Sequence, residues 1–137
     1  MSQVNIQTPA GTVLPSFSRT ITDAIIRSRQ WAGTNPIHVD DSVAKAQGFE
    51  RPIATGHIAS AYMQDACVRF FGEHFFCDAS MDVRFVRPFY LHDTLTVGGK
   101  IRDARKEPGG VRFTADLWCT NQQGEEVAVA VVMVVVS

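Results

Sequence analysis

The hydrophobic rhythm of the chain changes near its middle. Up to about residue 71 apolar positions recur at helical spacing, and from Phe75 onward they alternate or run together as in strands. Met1 to Pro15 is polar with two prolines, which predicts a loose arm or an edge strand, and Val13 to Thr20 is suited to an extended segment. Thr22 or Asp23 offers a short side-chain oxygen to an unpaired backbone N–H at a helix start. Ile21, Ile25, Ile26, Trp31 and Ala32 follow a helical period, so a helix is expected from about Thr22 to Trp31. Gly33-Thr34-Asn35-Pro36 is turn chemistry and ends it. Asp40 or Asp41 then caps a short helix holding Val43, Ala44 and Ala46. Gly48 closes that helix because glycine accepts the left-handed C-terminal conformation.

After the break at Arg51-Pro52, Thr55 to Phe71 reads as the main helix. Ile58, Ala61, Tyr62, Asp65, Val68 and Arg69 recur at helical spacing, with small Ala59, Ser60 and Ala66 between them. A helix apolar and small around much of its circumference is wrapped by other elements. Strands are expected over Asp82–Arg87, ending at Pro88, then Thr94–Arg102, Val111–Thr120 and Glu126–Val136. The last is apolar on both faces, which predicts a central strand with both faces covered. Helices first and strands afterwards give an α+β class, a sheet packed on a long helix.

Composition narrows this picture little. At 137 residues with 45% hydrophobic side chains, one domain over 1–137 with an ordinary core is expected. The formal net charge is -1 and no basic run appears, so nucleic-acid binding is not expected. Cys67, Cys77 and Cys119 have neither an even count nor C-x-x-C spacing, and read as reduced thiols of a cytoplasmic protein. The four histidines show no metal-ligand spacing. No signal peptide is visible, and the longest apolar run, Val127 to Val136, is too short to span a bilayer.

The chemistry is concentrated in Asn35-Pro36-Ile37-His38-Val39-Asp40 and in Gly48-Phe49-Glu50-Arg51-Pro52-Ile53-Ala54-Thr55-Gly56. These segments resemble the signature of (R)-specific enoyl-CoA hydratases and MaoC-like dehydratases. That signature is Gly-Asp-x-Asn-Pro-(aliphatic)-His-x-Asp, then Phe-x-x-Pro-Ile-(small)-His-Gly. Phe85-Val86-Arg87-Pro88 and Asp93-Thr94-Leu95-Thr96-Val97 resemble a second family motif, and the likeness covers about residues 17 to 105. The resemblance implies a hot-dog fold, in which a curved antiparallel sheet wraps a central helix. It also implies dimers or higher homo-oligomers, a heterodimer with a related chain being an alternative. The substrate is an acyl thioester of coenzyme A or an acyl carrier protein, with no cofactor.

Residue by residue, His38 matches the family's catalytic histidine, which activates or orients water. Gly56 matches the glycine at the start of the central helix, whose N–H faces the thioester oxygen, aided by the helix dipole. Asn35 matches the asparagine that holds the active loop. Two positions depart. Gly33 stands where the family has its catalytic aspartate, and no acidic residue lies between Asp23 and Asp40. Thr55 stands at the family's helix-start histidine, with His57 two residues later. His57 reads either as a first-turn surface residue or as a replacement acid/base. Asp40 reads as a helix cap.

The implied reaction is reversible hydration of a trans-2-enoyl thioester, or dehydration of an (R)-3-hydroxyacyl thioester, with a modified dyad. It needs a base, an acid and donors for the enolate-like oxygen. Catalytic roles fall to His38 and His57, substrate contacts to Gly33, Asn35, Thr55 and Gly56. The alternatives are an accessory thioester-binding subunit, and another thioester reaction such as hydrolysis, for which Asp65 is the candidate carboxylate unless it simply pairs with Arg69. Arg84 and Arg87 read as surface charges or as contacts to phosphates of coenzyme A.

Overall fold

A computed structural model describes residues 3–26 and 35–137. Strand β1 spans Val13–Thr20, and the short helix α1 spans Asp23–Ile26. The Thr22 hydroxyl accepts from the Ile25 N–H at 3.2 Å, so the cap expected there forms. The rest of the helix expected to run to Trp31 lies outside the described residues, as does Gly33. A single 3-10 turn, Pro36–His38, precedes helix α2, Asp41–Ala46, and the long helix α3, Gly56–Phe71. A further 3-10 turn over Gly72–Phe76 leads to β2, Ala79–Phe85, β3, Thr94–Glu107, β4, Gly110–Thr120, and β5, Glu126–Val136.

The five strands form one antiparallel sheet in the order β1-β3-β4-β5-β2. Strand β4 alternates strictly: Val111, Phe113, Ala115, Leu117 and Cys119 are buried, while the residues between them are half-buried. Period-two burial puts one face of the sheet on the core. Leu95, Val97 and Ile101 of β3, and Ala128, Ala130, Val132, Val134 and Val136 of β5, complete that face. Against it packs α3 through Ile58, Ala59, Met63, Ala66, Cys67, Phe70 and Phe71. This is the α+β arrangement expected, a sheet packed on a long helix.

Three details differ from expectation. The segment around Phe75 is a 3-10 turn, and β2 begins at Ala79 and stops at Phe85, before Pro88. Strand β3 runs on to Glu107, because its hairpin with β4 closes at Pro108-Gly109, where Gly109 has φ +88°. Strand β5 is internal, between β4 and β2, yet its outward residues Val129, Val131 and Val135 are half-buried and Met133 is exposed. Its apolar outer face is thus only partly covered by the described residues. No helix among the described residues is long and apolar enough to cross a membrane.

Candidate functional site

The segment between Asn35 and Gly56 is held by backbone and cap hydrogen bonds rather than by bulk. Asn35 Oδ1 accepts from the Ile37 N–H at 3.2 Å and starts the Pro36–His38 turn. Asp40 Oδ1 accepts from the Ser42 and Val43 N–H groups and from the Ser42 hydroxyl, at 2.9, 3.2 and 2.7 Å. The Ser42 hydroxyl bond, followed by the backbone bonds, holds the Asp40 carboxyl below its ordinary value. Asp40 is thus the helix cap expected. At the other end of α2, the Gly48 N–H donates to Lys45 and the Phe49 N–H to Ala44, with Gly48 at φ +92°. That pair of bonds around a left-handed glycine satisfies the last carbonyls of the helix and turns the chain sharply back.

The returning strand is gripped from both sides. The Ile53 N–H donates to the Ile37 carbonyl at 3.1 Å, and the Ala54 N–H to the Phe89 carbonyl at 2.7 Å. Upstream, Arg51 lies over the Tyr90 ring, 4.8 Å from its centroid, and donates to Asp93 at 3.3 Å. Asp93 is 3% exposed and also accepts from the Tyr90 N–H and the Gln122 amide, at 2.8 and 2.9 Å. A buried carboxylate with three donors is stable where a bare one is not.

This framework places His38. Its Nδ1 lies 2.8 Å from the Ile53 carbonyl oxygen. A carbonyl only accepts, so Nδ1 carries the hydrogen, and Nε2 keeps a lone pair in the neutral ring. His38 lines a cavity of about 510 Å³ together with Ile53, Ala54, Thr55, Gly56, His57 and the Phe85–Phe89 segment. That volume suits a small-molecule ligand. Four of the expected site residues, His38, Thr55, Gly56 and His57, therefore meet at one cavity. Asn35 is not among the lining residues but caps the Pro36–His38 turn that carries His38, and Gly33 lies outside the described residues.

Gly56 is the first residue of α3, and the N–H groups of a first turn have no intrahelical acceptor. A Cβ at Gly56 would lie 2.8 Å from Cε1 of the Phe85 ring, so glycine lets the ring approach the helix start. His57, in the same turn, is exposed at the cavity rim. Arg87 lines the cavity and pairs with Glu125 at 3.2 Å. Arg84 belongs to a different hollow, on the other face of the sheet with Asp82 and Trp118. Asp65 lies outside the cavity lining and is held by Arg69 at 3.1 Å and Arg19 at 3.3 Å. The pairing with Arg69 expected of a structural carboxylate is thus present. Of the phenylalanines, Phe70 and Phe71 are core, Phe76 is exposed, and Phe85 and Phe89 line the cavity.

Sequence reasoning missed the Ile53 carbonyl as the partner of His38 and the Arg51–Asp93 clamp behind it. Neither leaves a local signal, because a backbone acceptor has no residue type and the clamp joins positions 42 apart.

The family profile described as MaoC like domain matches residues 5–122. No curated protein sequence is similar enough to count as a match. Among solved structures, a chain of the ChsH1-ChsH2 complex from Mycobacterium tuberculosis is similar at 22% identity, with TM-score 0.78, covering 96% of this chain and 100% of that one. An (R)-hydratase from A. caviae involved in PHA biosynthesis is similar at 18% identity and TM-score 0.77, over 96% and 98% of the two chains. A MaoC-like dehydratase from Rhodospirillum rubrum is similar at 22% identity and TM-score 0.79, over 94% and 92%. The sheet-on-helix architecture is that of these hot-dog structures, and with the profile spanning most of its length, the chain belongs to the MaoC-like domain family.

Proposed function

We propose that this chain is a hydro-lyase of acyl thioesters, adding water reversibly to trans-2-enoyl thioesters or removing it from (R)-3-hydroxyacyl thioesters. The observation that carries the reading is the His38 ring. Its Nδ1–H is fixed on the Ile53 carbonyl, and Nε2 is left as a base at a cavity that also contains the start of α3. In this reading Nε2 takes a proton from water as it attacks the β-carbon. The Gly56 N–H, at the positive end of the helix, faces the carbonyl oxygen, where negative charge develops. His57, in the same first turn, returns a proton to the α-carbon. Asn35 holds the loop, and the substrate arrives on coenzyme A or a carrier protein without a further cofactor.

The test is a spectrophotometric assay of trans-2-enoyl-CoA hydration over a range of chain lengths, with wild type and His38→Ala. A base of this kind contributes about 10²- to 10⁴-fold, so His38→Ala should lose that much. A folded wild type without turnover at any chain length sinks the reading for the chain alone.

A second reading is supported by the likeness to a chain of a two-protein complex, ChsH1-ChsH2. Strand β2 is an edge of the sheet, with Phe85 and Val86 exposed at its end, beside the cavity. Edge strands with apolar neighbours invite a partner. A second copy of this chain, or a related hot-dog chain, fits there. Activity that appears only after a partner chain is added favours the related chain, and activity of the purified protein alone favours the homodimer.

A further inference from the structure

Threonine at a helix N-cap ordinarily gives its side-chain oxygen to an N–H of the first turn. Thr55 occupies that position before α3, with φ -71° and ψ 142°, and makes no such bond. Its Oγ1 is buried, and it is the one buried side-chain nitrogen or oxygen without a hydrogen-bond partner among the described residues. Leaving a buried hydroxyl unpaired costs stability, and a group of this kind in a folded protein calls for a reason. Thr55 lines the same cavity as His38 and Gly56.

We propose that the Thr55 hydroxyl is a second donor to the thioester carbonyl oxygen, beside the Gly56 N–H. The inference rests on the acyl-thioester reading of the cavity and extends it. A carbonyl oxygen has two lone pairs, and two donors fix its direction where one leaves it free to swing. Their effect grows as the oxygen gains charge. The hydroxyl keeps its proton throughout, since it acts as a donor and not as an acid. Oγ1 itself is buried, so the proposal includes a staggered turn about χ1 that brings it to the cavity side when the thioester binds. The neighbouring Phe85 ring, 55% exposed and resting on Gly56, can yield toward solvent as an acyl chain enters.

The experiment compares wild type, Thr55→Ser and Thr55→Val with two unreactive probes. Butyryl-CoA carries the thioester carbonyl, and S-butyl-CoA, a thioether, lacks it. Wild type and Thr55→Ser should prefer butyryl-CoA to the thioether, and Thr55→Val should lose about tenfold of that preference, the size of one neutral hydrogen bond. The infrared carbonyl band of bound butyryl-CoA should lie at lower frequency in wild type and Thr55→Ser than in Thr55→Val. Thr55→Val should also melt no lower than wild type, because it removes an unpaired group. An unchanged preference and band in Thr55→Val overturn the proposal and leave the thioester reading standing. A lowered melting temperature in Thr55→Val identifies a structural cap and overturns it as well. Failure of wild type to bind butyryl-CoA overturns both readings.

Discussion

The two ends of α3 are built on opposite terms. At its C-terminal end Phe70 and Phe71 are 2% and 0% exposed, their rings meet edge to face at 5.0 Å, and the Gln3 N–H donates to the Phe70 carbonyl. There every group is spent on the fold. At its N-terminal end Thr55 leaves its hydroxyl unpaired, Gly56 has no side chain, and His57 is exposed. One helix thus carries a sealed end that anchors the core and an open end that borders the cavity. The contrast separates residues whose loss should unfold the protein from residues whose loss should only silence it.

The sharpest way to break that contrast is Phe71→Ala. It empties a fully buried ring site against the sheet, and should cost about 3–5 kcal/mol of stability by denaturant unfolding. Thioester binding per folded molecule should persist, because Phe71 is outside the cavity lining. A variant as stable as wild type, or one that is stable but cannot bind, contradicts the division of the helix into two ends.

Much of this division was legible beforehand, for different reasons at each end. The sealed end follows from periodicity: β4 alternates residue by residue and α3 carries small and apolar residues around its circumference, so core positions announce themselves. The α2 caps, Asp40 and Gly48, were readable because capping is local chemistry. At the open end the motif pointed to His38 and Gly56, and both lie at one cavity. What the sequence did not convey is how His38 is aimed. That depends on Ile53 through its backbone, and on Asp93 through Arg51, contacts made only once distant segments meet. The turn at Gly72–Phe76 was missed for a related reason. Its aromatic residues suit strands, but the buried Gly72, at φ 61°, turns the chain before β2 can start.

A smaller effect is expected at the clamp that supports the open end from outside. Asp93→Asn retains an acceptor for the Tyr90 N–H but loses the charge that holds Arg51. Arg51 is about half exposed, so the loss is moderated by solvent, and about 1–2 kcal/mol of stability should go. The loss should also be felt at His38. Arg51 sits just before Ile53, whose carbonyl fixes the ring, so the nitrogen resonances of His38 should move toward a mixture of tautomers. An unperturbed His38 spectrum in the destabilised variant would mean that the clamp serves only the fold.

The smallest effect tests the sealed side of the helix by chemistry rather than by energy. Cys67 lies on the buried face of α3, and Cys119 faces it from the sheet side of the core. Burial pushes both thiols up to about 12, so almost no thiolate forms at neutral pH, and neither sulfur is open to a reagent. Cys77, after the Gly72–Phe76 turn, is exposed. A thiol-titrating disulfide reagent should therefore modify Cys77 alone in the native protein, and all three cysteines in denaturant. In a Cys77→Ser variant the native reaction should fall to the rate at which the core opens, and a rate that tracks denaturant as global unfolding does would place Cys67 in the most protected unit of the fold. Rapid labelling of that variant without denaturant would show that the C-terminal half of α3 opens on its own, and that the two ends of the helix differ less than their packing says.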